Sequence, residues 1–371
     1  MLLRLILGRA KTGKTQKIID EMKTSKNCIY IVPEQYSYQA EKKIIKSEGA
    51  LGLFGTQVYS LRRLYFFLVN YYGGKNRTYL DPISKTMIIS SILINENENL
   101  KIYKDLANVD GFSQEVRKAI DEFKAYNITP QVLKGAKEVV DSPLLQKKLE
   151  DLGLIFEKFE EFIKKGYIDP SDELTILAGL INNTPYFEGK KIYFDQFSSF
   201  SPQEEGVIGA MLKKGDEVVI ALTHDEDGDE FILTNKTANK LKKLAQRMGV
   251  EVKEERLYDT HFKSEEIKVL EREYYNYPKN TYKEKTKDIK IIAAKDPYDE
   301  VQAAAREIVS LVRDEGFNFS DIAIVSRDLS IYERFLKSEF QRFEIPLFLD
   351  KKVRVLSHPV VLFILSAFDI L

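Results

Sequence analysis

LRLILGRAKTGKT, residues Leu3 to Thr15, is the part of the sequence from which the architecture follows. The apolar run over residues 2–7 has the length and composition of a buried parallel strand. Residues 8–15 come next and match the pattern G-x-x-x-x-G-K-[ST] at every fixed position. Residues 16–22 then show the apolar spacing of a helix. Strand, glycine loop and helix in this order predict a phosphate-binding P-loop.

The P-loop residues are predicted to hold a nucleotide, because glycines let the backbone N–H groups turn towards an anion and the helix adds its positive end. Lys14 is predicted to reach the β- and γ-phosphates of ATP, and the Thr15 hydroxyl to bind Mg²⁺. A chance match in a glycine- and lysine-containing loop is the alternative, and the flanking strand and helix argue against it. The predicted nucleotide-binding residues are Gly8, Arg9, Ala10, Lys11, Thr12, Gly13, Lys14 and Thr15.

Composition excludes several classes of protein. The 371 residues are 44% hydrophobic and 30% charged, as expected for a globular protein with more than one domain. No apolar run approaches the length of a membrane span and no signal peptide is recognised, so a cytoplasmic protein is expected. Cys28 is the only cysteine, which excludes a disulfide within these residues, and the three histidines lie too far apart in sequence to support a zinc site.

The domain organisation follows from the alternation of strands and helices, which predicts an α/β fold with a parallel sheet. Residues 1–75 and 186–275 form the predicted P-loop domain, and residues 76–185, which have only helical spacing, form a helical insertion. Residues 276–287 are the predicted linker, and residues 288–371 the start of a second α/β domain, truncated within an apolar helical run. The strands are predicted at Cys28–Val32, Thr56–Ser60, Lys191–Asp195, Glu217–Leu222, Ile289–Ala294 and Asp321–Val325.

Asp195 ends one of these strands and is predicted to be the second Mg²⁺ ligand, in the manner of a Walker B aspartate. An aspartate at a strand end is common, and the P-loop is what gives this one meaning. The sequence HDEDGDE, residues 224–230, lacks the spacing of a calcium-binding loop and is predicted to be a solvated loop. No residue is predicted to be catalytic, and no carboxylate–lysine nuclease cluster is recognised.

The order of these parts resembles the UvrD-like superfamily-one helicases, and four phrases resemble the AddB family of AddAB helicase–nuclease subunits. The phrases are GRAKTGKT, IYIVPEQYSYQAEKKI, IYFDQFSSFSPQE, and DIAIVSRD with IPLFLDKKVRVLSHP. The resemblance implies a RecA-like P-loop domain, a helical insertion and the start of a second RecA-like domain.

The same resemblance implies a function in repair of double-strand breaks by homologous recombination. It implies ATP and Mg²⁺ as cofactors, double- and single-stranded DNA as ligands, and a heterodimer with an AddA-like helicase–nuclease subunit. Members of this family hold DNA and scan it for the Chi signal while the partner acts as motor. A RecB-like nuclease domain and a cysteine-bound iron–sulfur cluster are expected in a longer C-terminal part that this sequence does not contain.

Two departures from the helicase pattern bear on turnover. The position after Asp195, where helicases of this group carry a water-orienting glutamate, is Gln196, which cannot act as a base. The phrase ALTHDEDGDEFIL does not resemble the coupling motif that senses γ-phosphate. We therefore expect nucleotide binding with little or no hydrolysis.

One alternative is an active helicase or translocase with its own DNA-stimulated ATPase. Another is a small-molecule P-loop kinase, which the insertion and the second α/β unit disfavour.

Overall fold

The computed structural model of the chain describes residues 1–25, 27–48, 56–73, 78–109, 111–226, 228–349 and 358–368. They divide into two compact units, Met1–Lys283 and Glu284–Leu371. Within these described ranges, no helix combines the length and the apolar character needed to cross a bilayer.

The first unit consists of eight strands and eleven helices within its described residues. The strands are β1 (Leu2–Gly8), β2 (Cys28–Ile31), β3 (Thr56–Tyr59), β4 (Thr78–Tyr79), β5 (Tyr167–Ile168), β6 (Lys191–Phe194), β7 (Glu217–Thr223) and β8 (Glu251–Arg256). The helices are α1 (Lys14–Thr24), α2 (Ser37–Glu48), α3 (Leu61–Tyr72), α4 (Pro82–Asn95), α5 (Phe112–Ala125), α6 (Pro130–Ala136), α7 (Pro143–Ile163), α8 (Glu173–Asn183), α9 (Pro202–Lys214), α10 (Ile232–Arg247) and α11 (Glu265–Glu273).

Six of the strands form one sheet in the order β3-β2-β6-β7-β1-β8, and every pair in it is parallel. The predicted α/β class with a parallel sheet is therefore confirmed. The P-loop strand β1 lies between β7 and β8, where Leu2 pairs with Glu217 on one side and Glu251 on the other. Parallel strands present their carboxyl ends at one edge, so the P-loop and the residues after β6 and β7 meet at that edge.

Alternate side chains of each strand point to opposite faces of the sheet. Helices cover both faces and pack against these side chains. Leu3, Leu5 and Leu7 of β1 belong to a buried cluster that also contains residues of α3, α8, α9 and α10. Ile6 belongs to a second cluster on the other face, together with residues of α1 and α2. Burial on both faces explains why β1 and β7 read as nearly continuous apolar runs.

The helices α4 to α7 have a core of their own, to which Ile89, Ile120, Ile155 and Phe159 contribute. Helix α8 lies within the predicted insertion but packs apolar side chains into the sheet cluster. The sequence shows only helical spacing in this range, and the structure adds two short strands, since β4 pairs with β5. Each of these strands has two residues, which is too short for a periodic pattern to be visible in the sequence.

Strand β8 and helix α11 of the first unit also have no counterpart in the prediction. Strand β8, with the sequence EVKEER, is the edge of the sheet and has mostly exposed or half-exposed side chains. It is a strand because its backbone pairs with β1, and an edge position allows polar side chains. Helix α11 follows it and begins at the N-cap Ser264, whose hydroxyl accepts a hydrogen bond from the backbone of Ile267.

The second unit contains α12 (Pro297–Asp314), α13 (Leu329–Arg342) and α14 (Pro359–Phe368). Val301 and Ile308 of α12 pack with Leu336 and Phe340 of α13. The strands predicted at 289–294 and 321–325 were wrong, since the structure assigns neither as a strand. A strand exists through hydrogen bonds to a neighbour, and these segments have no ladder partner among the described residues of this unit.

Candidate nucleotide-binding site

The backbone of the P-loop needs glycine at two positions for different reasons. Gly13 has φ 83°, in the left-handed region, and forms the N-cap of α1. At Gly8, a Cβ would lie 2.6 Å from the carbonyl oxygen of Leu257 and 2.6 Å from the Thr12 hydroxyl. Gly13 is therefore required by backbone conformation, and Gly8 by close packing against the segment that follows β8.

The Lys14 ammonium group folds back over the loop. It donates hydrogen bonds to the carbonyl oxygens of Gly8 at 2.7 Å and Arg9 at 2.6 Å. Burial lowers the pKa of Lys14, although attraction by the carboxylates of Asp195 and Glu271 acts in the opposite direction. Among the described residues Lys14 has no ion-pair partner within 4 Å, so this half-buried positive charge is held by neutral oxygens only.

Thr15 and Asp195 lie close together, with the Gln196 side chain between them. The Gln196 amide nitrogen donates to the Thr15 hydroxyl at 3.0 Å and to an Asp195 carboxylate oxygen at 3.4 Å. Asp195 is 2% exposed and also accepts a hydrogen bond from the Tyr30 hydroxyl at 2.8 Å. Burial, followed by the charge of Asp195, raises the pKa of Tyr30, so this hydroxyl stays protonated and donates.

The oxygens of Thr15 and Asp195 suit Mg²⁺, which prefers hard oxygen ligands and binds proteins through one or two of them plus phosphate oxygens. The amide hydrogens of Gln196 stand between these oxygens, in the place where a positive group is favourable. Thr15 and Asp195 would hold the metal, and the metal would neutralise phosphate charge. In the described part of the chain, no group of three or more His, Cys, Asp or Glu residues is arranged to hold a metal by itself.

Gln196 is fixed in this position by its backbone. Its φ is 67°, which is uncommon for a residue with a side chain, and its N–H donates to an Asp195 carboxylate oxygen at 2.9 Å. Gln196 lies two residues after the end of β6, and its backbone conformation directs the side chain towards the P-loop. A carboxamide offers a donor and an acceptor there, but it does not take up a proton from water.

The other end of the loop is fixed by Arg9, whose partners the sequence did not reveal. Its guanidinium contacts Asp225 at 2.8 Å, Glu271 of α11 at 3.1 Å and Glu230 at 3.6 Å, and it lies over the Phe231 ring. Burial would lower the pKa of Arg9, but the hydrogen bonds and charges of Asp225 and Glu271 outweigh it and raise the pKa.

The prediction of a solvated loop at residues 224–230 was therefore wrong for the side chains of Asp225 and Glu230, which are 29% and 17% exposed and form ion pairs with Arg9. The sequence signal for this contact was the high density of acidic residues in the loop, because the P-loop is basic. Asp227 of the same loop lies outside the described residues. The loop thus contacts the P-loop through Arg9, while Glu226 and Asp229 are exposed.

The remaining predicted residues of the loop differ in exposure. Ala10 and Lys11 are exposed, whereas Thr12 is buried and its hydroxyl donates to the Arg9 carbonyl oxygen at 2.9 Å. The structure thus brings Lys14, Thr15 and Asp195 to one place and directs Arg9 away from it towards carboxylates. Binding of a nucleotide and Mg²⁺ to these residues stays a prediction.

Comparison with known proteins finds that the chain is similar to one family. The family sequence model described as "ADDB, N-terminal" matches residues 5–271. Three relatives, each named as the B subunit of an ATP-dependent helicase/deoxyribonuclease, are similar over 100% of this chain. The relative from Clostridium novyi is 35% identical over 386 residues, that from Caldanaerobacter subterraneus 34% over 387, and that from Acetivibrio thermocellus 36% over 388. The matches cover 34%, 33% and 34% of these relatives, so the chain spans about a third of their length.

Proposed function

The chain belongs to the AddB N-terminal family, and from this premise we propose that it binds ATP–Mg²⁺ at the P-loop and turns it over slowly or not at all. In this proposal it is the helicase-like N-terminal portion of the B subunit of an ATP-dependent helicase–nuclease. Lys14 contacts the phosphates, Thr15 and Asp195 hold Mg²⁺, and bound nucleotide stabilises one arrangement of the site instead of driving a motor.

One observation carries this proposal: the Gln196 amide lies between the Thr15 hydroxyl and the Asp195 carboxylate. The contacts support metal and phosphate binding, since they bring two oxygen ligands together beside Lys14. They do not supply a base, because Gln196, the side chain that contacts both ligands, is a carboxamide. A positioned general base typically contributes about 10²–10⁴-fold to a rate, so its loss alone would make hydrolysis slow.

The wider role follows from the family. Relatives named as one subunit of a helicase/deoxyribonuclease support a complex that acts on DNA. We propose that this segment contacts double- and single-stranded DNA, serves in recombinational repair and Chi scanning in the cytoplasm, and pairs with an AddA-like motor subunit. Nuclease chemistry and an iron–sulfur cluster would belong to the two thirds of the relatives' length that this chain does not span.

Equilibrium titration with labelled ATP, with and without Mg²⁺ and single-stranded DNA, tests the binding part of the proposal. We expect binding that Mg²⁺ strengthens and that Lys14→Ala weakens. Lys23→Ala is the matched control, because Lys23 lies on the same helix and pairs with Asp20 at 2.8 Å on the surface. Equal ATP affinity for Lys14→Ala, Lys23→Ala and the unmodified chain would exclude the P-loop as the binding site.

The active helicase is the competing function, and DNA-stimulated ATPase of the unmodified chain would establish it. Gln196→Glu tests whether the missing carboxylate alone prevents hydrolysis. If only the missing carboxylate prevents hydrolysis, this substitution restores DNA-stimulated ATPase. We expect no rescue, because the loop after β7 contacts Arg9 through Asp225 and does not resemble a coupling motif.

Sedimentation of the full-length protein with its AddA-like partner tests the heterodimer, and a mixture that sediments as separate proteins would contradict it.

A further inference from the structure

We propose that the groove beside helix α1, bounded by Gly13, Gln16, Asp20, Leu257 and His261, takes the nucleoside part of ATP, with the His261 ring as the surface on which the purine stacks. This inference rests on the proposed nucleotide binding at the P-loop. It assigns a binding place to the nucleoside, which is the part of ATP that the P-loop motif does not specify.

The segment after β8 is attached to the P-loop at two points. The Leu257 N–H donates to the Leu7 carbonyl oxygen at 2.8 Å, and the His261 N–H donates to the Lys11 carbonyl oxygen at 2.8 Å. The His261 ring is consequently held beside Gly13, where a Cβ would lie 3.8 Å from two ring atoms of the histidine. A planar, exposed side chain is thus fixed at the rim of the phosphate-binding loop.

The groove that this segment borders has a volume of 560 Å³. Ligand-binding clefts in proteins are typically about 300–1,000 Å³, so the space is adequate for a nucleoside. Gln16 and Asp20 lie along it, and the Gln16 amide donates to an Asp20 carboxylate oxygen at 3.0 Å. A carboxylate that lines the same groove as the stacking surface is a suitable acceptor for a ribose hydroxyl.

Helix geometry places this groove on the side of α1 where the nucleoside of a bound ATP is expected. Successive residues of an α-helix are rotated by about 100°, so Lys17 and Asp20 lie roughly opposite Thr15 on α1. Thr15 faces Asp195, where Mg²⁺ and the terminal phosphates are proposed to bind. A triphosphate that crosses the loop from that side therefore brings its nucleoside to the side of His261.

The cavity on the other flank of the loop is a poor alternative. It has a volume of 180 Å³, and its lining combines the carboxylates of Asp225 and Glu226 with the guanidinium groups of Arg9 and Arg256. Its size falls below the usual range for ligand clefts. Volume therefore favours the groove at His261.

Binding of ATP and of inorganic tripolyphosphate to the full chain tests the proposal. His261→Ala removes the ring but keeps the backbone N–H that bonds Lys11. We expect it to weaken ATP binding roughly tenfold, as loss of a stacking surface does, and to leave tripolyphosphate binding unchanged. His261→Phe should restore ATP affinity. Tyr258→Ala is the matched control, because Tyr258 is an exposed aromatic residue of the same segment that lines the other cavity.

The outcomes separate this inference from the function on which it rests. Equal weakening of ATP and tripolyphosphate by His261→Ala would mean that His261 only supports the loop, and this inference would be overturned. Unchanged binding of both ligands would likewise overturn it, while ATP binding at the P-loop would stand. If the unmodified chain bound neither ligand, the proposed function and the inference would both fail.

Discussion

Lys14 in the P-loop and Lys124 in helix α5 are both removed from solvent, yet their surroundings differ in kind. Lys124 is 5% exposed and forms ion pairs with Glu160 at 2.6 Å, Asp172 at 2.8 Å and Asp169 at 2.9 Å. Lys14 donates to two backbone carbonyl oxygens instead. The positive charge in the helical region is already neutralised by carboxylates, whereas the charge in the P-loop is directed into a site where no carboxylate pairs with it directly.

The pKa values of the two lysines shift in opposite directions for this reason. Burial would lower the pKa of Lys124, but the charges of Asp172 and Asp169 and their hydrogen bonds outweigh it and raise the pKa. For Lys14 burial dominates and the pKa falls. A lysine held by carboxylates stabilises the fold, and a lysine held by carbonyl oxygens beside a glycine loop has charge available for an anionic ligand. This contrast distinguishes a structural from a ligand-binding lysine.

The largest expected effect concerns Lys124. Lys124→Met removes the cation paired with Asp172 and Glu160 and leaves Asp169 with Lys85 alone. Removing one partner of a buried ion pair typically costs about 3–5 kcal/mol of the free energy of unfolding. Denaturant unfolding followed by circular dichroism measures this. The control is Lys118→Met on the same helix, where an exposed pair with Glu115 at 2.6 Å contributes at most about 1 kcal/mol. A similar loss in both variants would contradict the structural role of Lys124.

The converse effect is expected for Lys14. Lys14→Met should change the free energy of unfolding by about 1 kcal/mol or less, because it removes a desolvated charge that has no direct ionic partner. It should weaken ATP binding by roughly tenfold to a hundredfold, the equivalent of one strong charged hydrogen bond. Calorimetric titration with ATP and denaturant unfolding of the same preparation give both numbers. Loss of stability comparable to that of Lys124→Met would remove the distinction between the two lysines.

A smaller effect is expected from pH. Lys14 loses its proton below the usual lysine value of 10.5, so ATP affinity should fall as pH rises through that lowered pKa, by up to roughly tenfold per pH unit. Its deprotonation relieves a buried charge and does not weaken the fold. The pKa of Lys124 is raised, so its stabilisation is fully present below 10.5 and is lost only as pH rises through the higher folded value.

ATP titrations and circular dichroism at a series of alkaline pH values check this prediction. Between the two pKa values, ATP affinity should decline while the folded signal is unchanged. In Lys14→Met the residual affinity should be independent of pH over the same interval. Parallel loss of binding and folded structure would show that the decline reports unfolding and not the proton on Lys14.

The sequence predicted the first lysine and not the second. Lys14 belongs to an unbroken eight-residue pattern whose chemistry is local, so its position and its neighbours Gly8 and Thr15 follow from the motif. Lys124 and Asp172 are 48 residues apart, and Arg9 and Glu271 are 262 apart. Each of these residues alone reads as an ordinary surface charge, and only the packing of separate elements brings the partners together. Long-range ion pairs have no sequence period from which they can be predicted.

The same reasoning explains which strands were predicted. The strands β1 and β7 are covered on both faces, and burial forces an apolar run that is visible in the sequence. Strand β8 is an edge whose register with β1 depends on backbone hydrogen bonds, so EVKEER carries no apolar signal. Residues 289–294 show the opposite case, since an apolar segment without a paired neighbour is not a strand. Ile291 and Ile292 are 93% and 49% exposed, so an apolar pattern alone neither ensures burial nor makes a strand.

The chemical state of nucleotide bound to the chain tests the central claim most directly. The chain is incubated with radiolabelled ATP, Mg²⁺ and saturating single-stranded DNA, and the bound nucleotide is recovered and separated after many seconds. We expect bound nucleotide in the form of intact ATP, with ADP near background, because Gln196 offers no base at the Thr15–Asp195 site. Rapid conversion to ADP that depends on DNA and disappears in Lys14→Ala would contradict the account and establish an active motor.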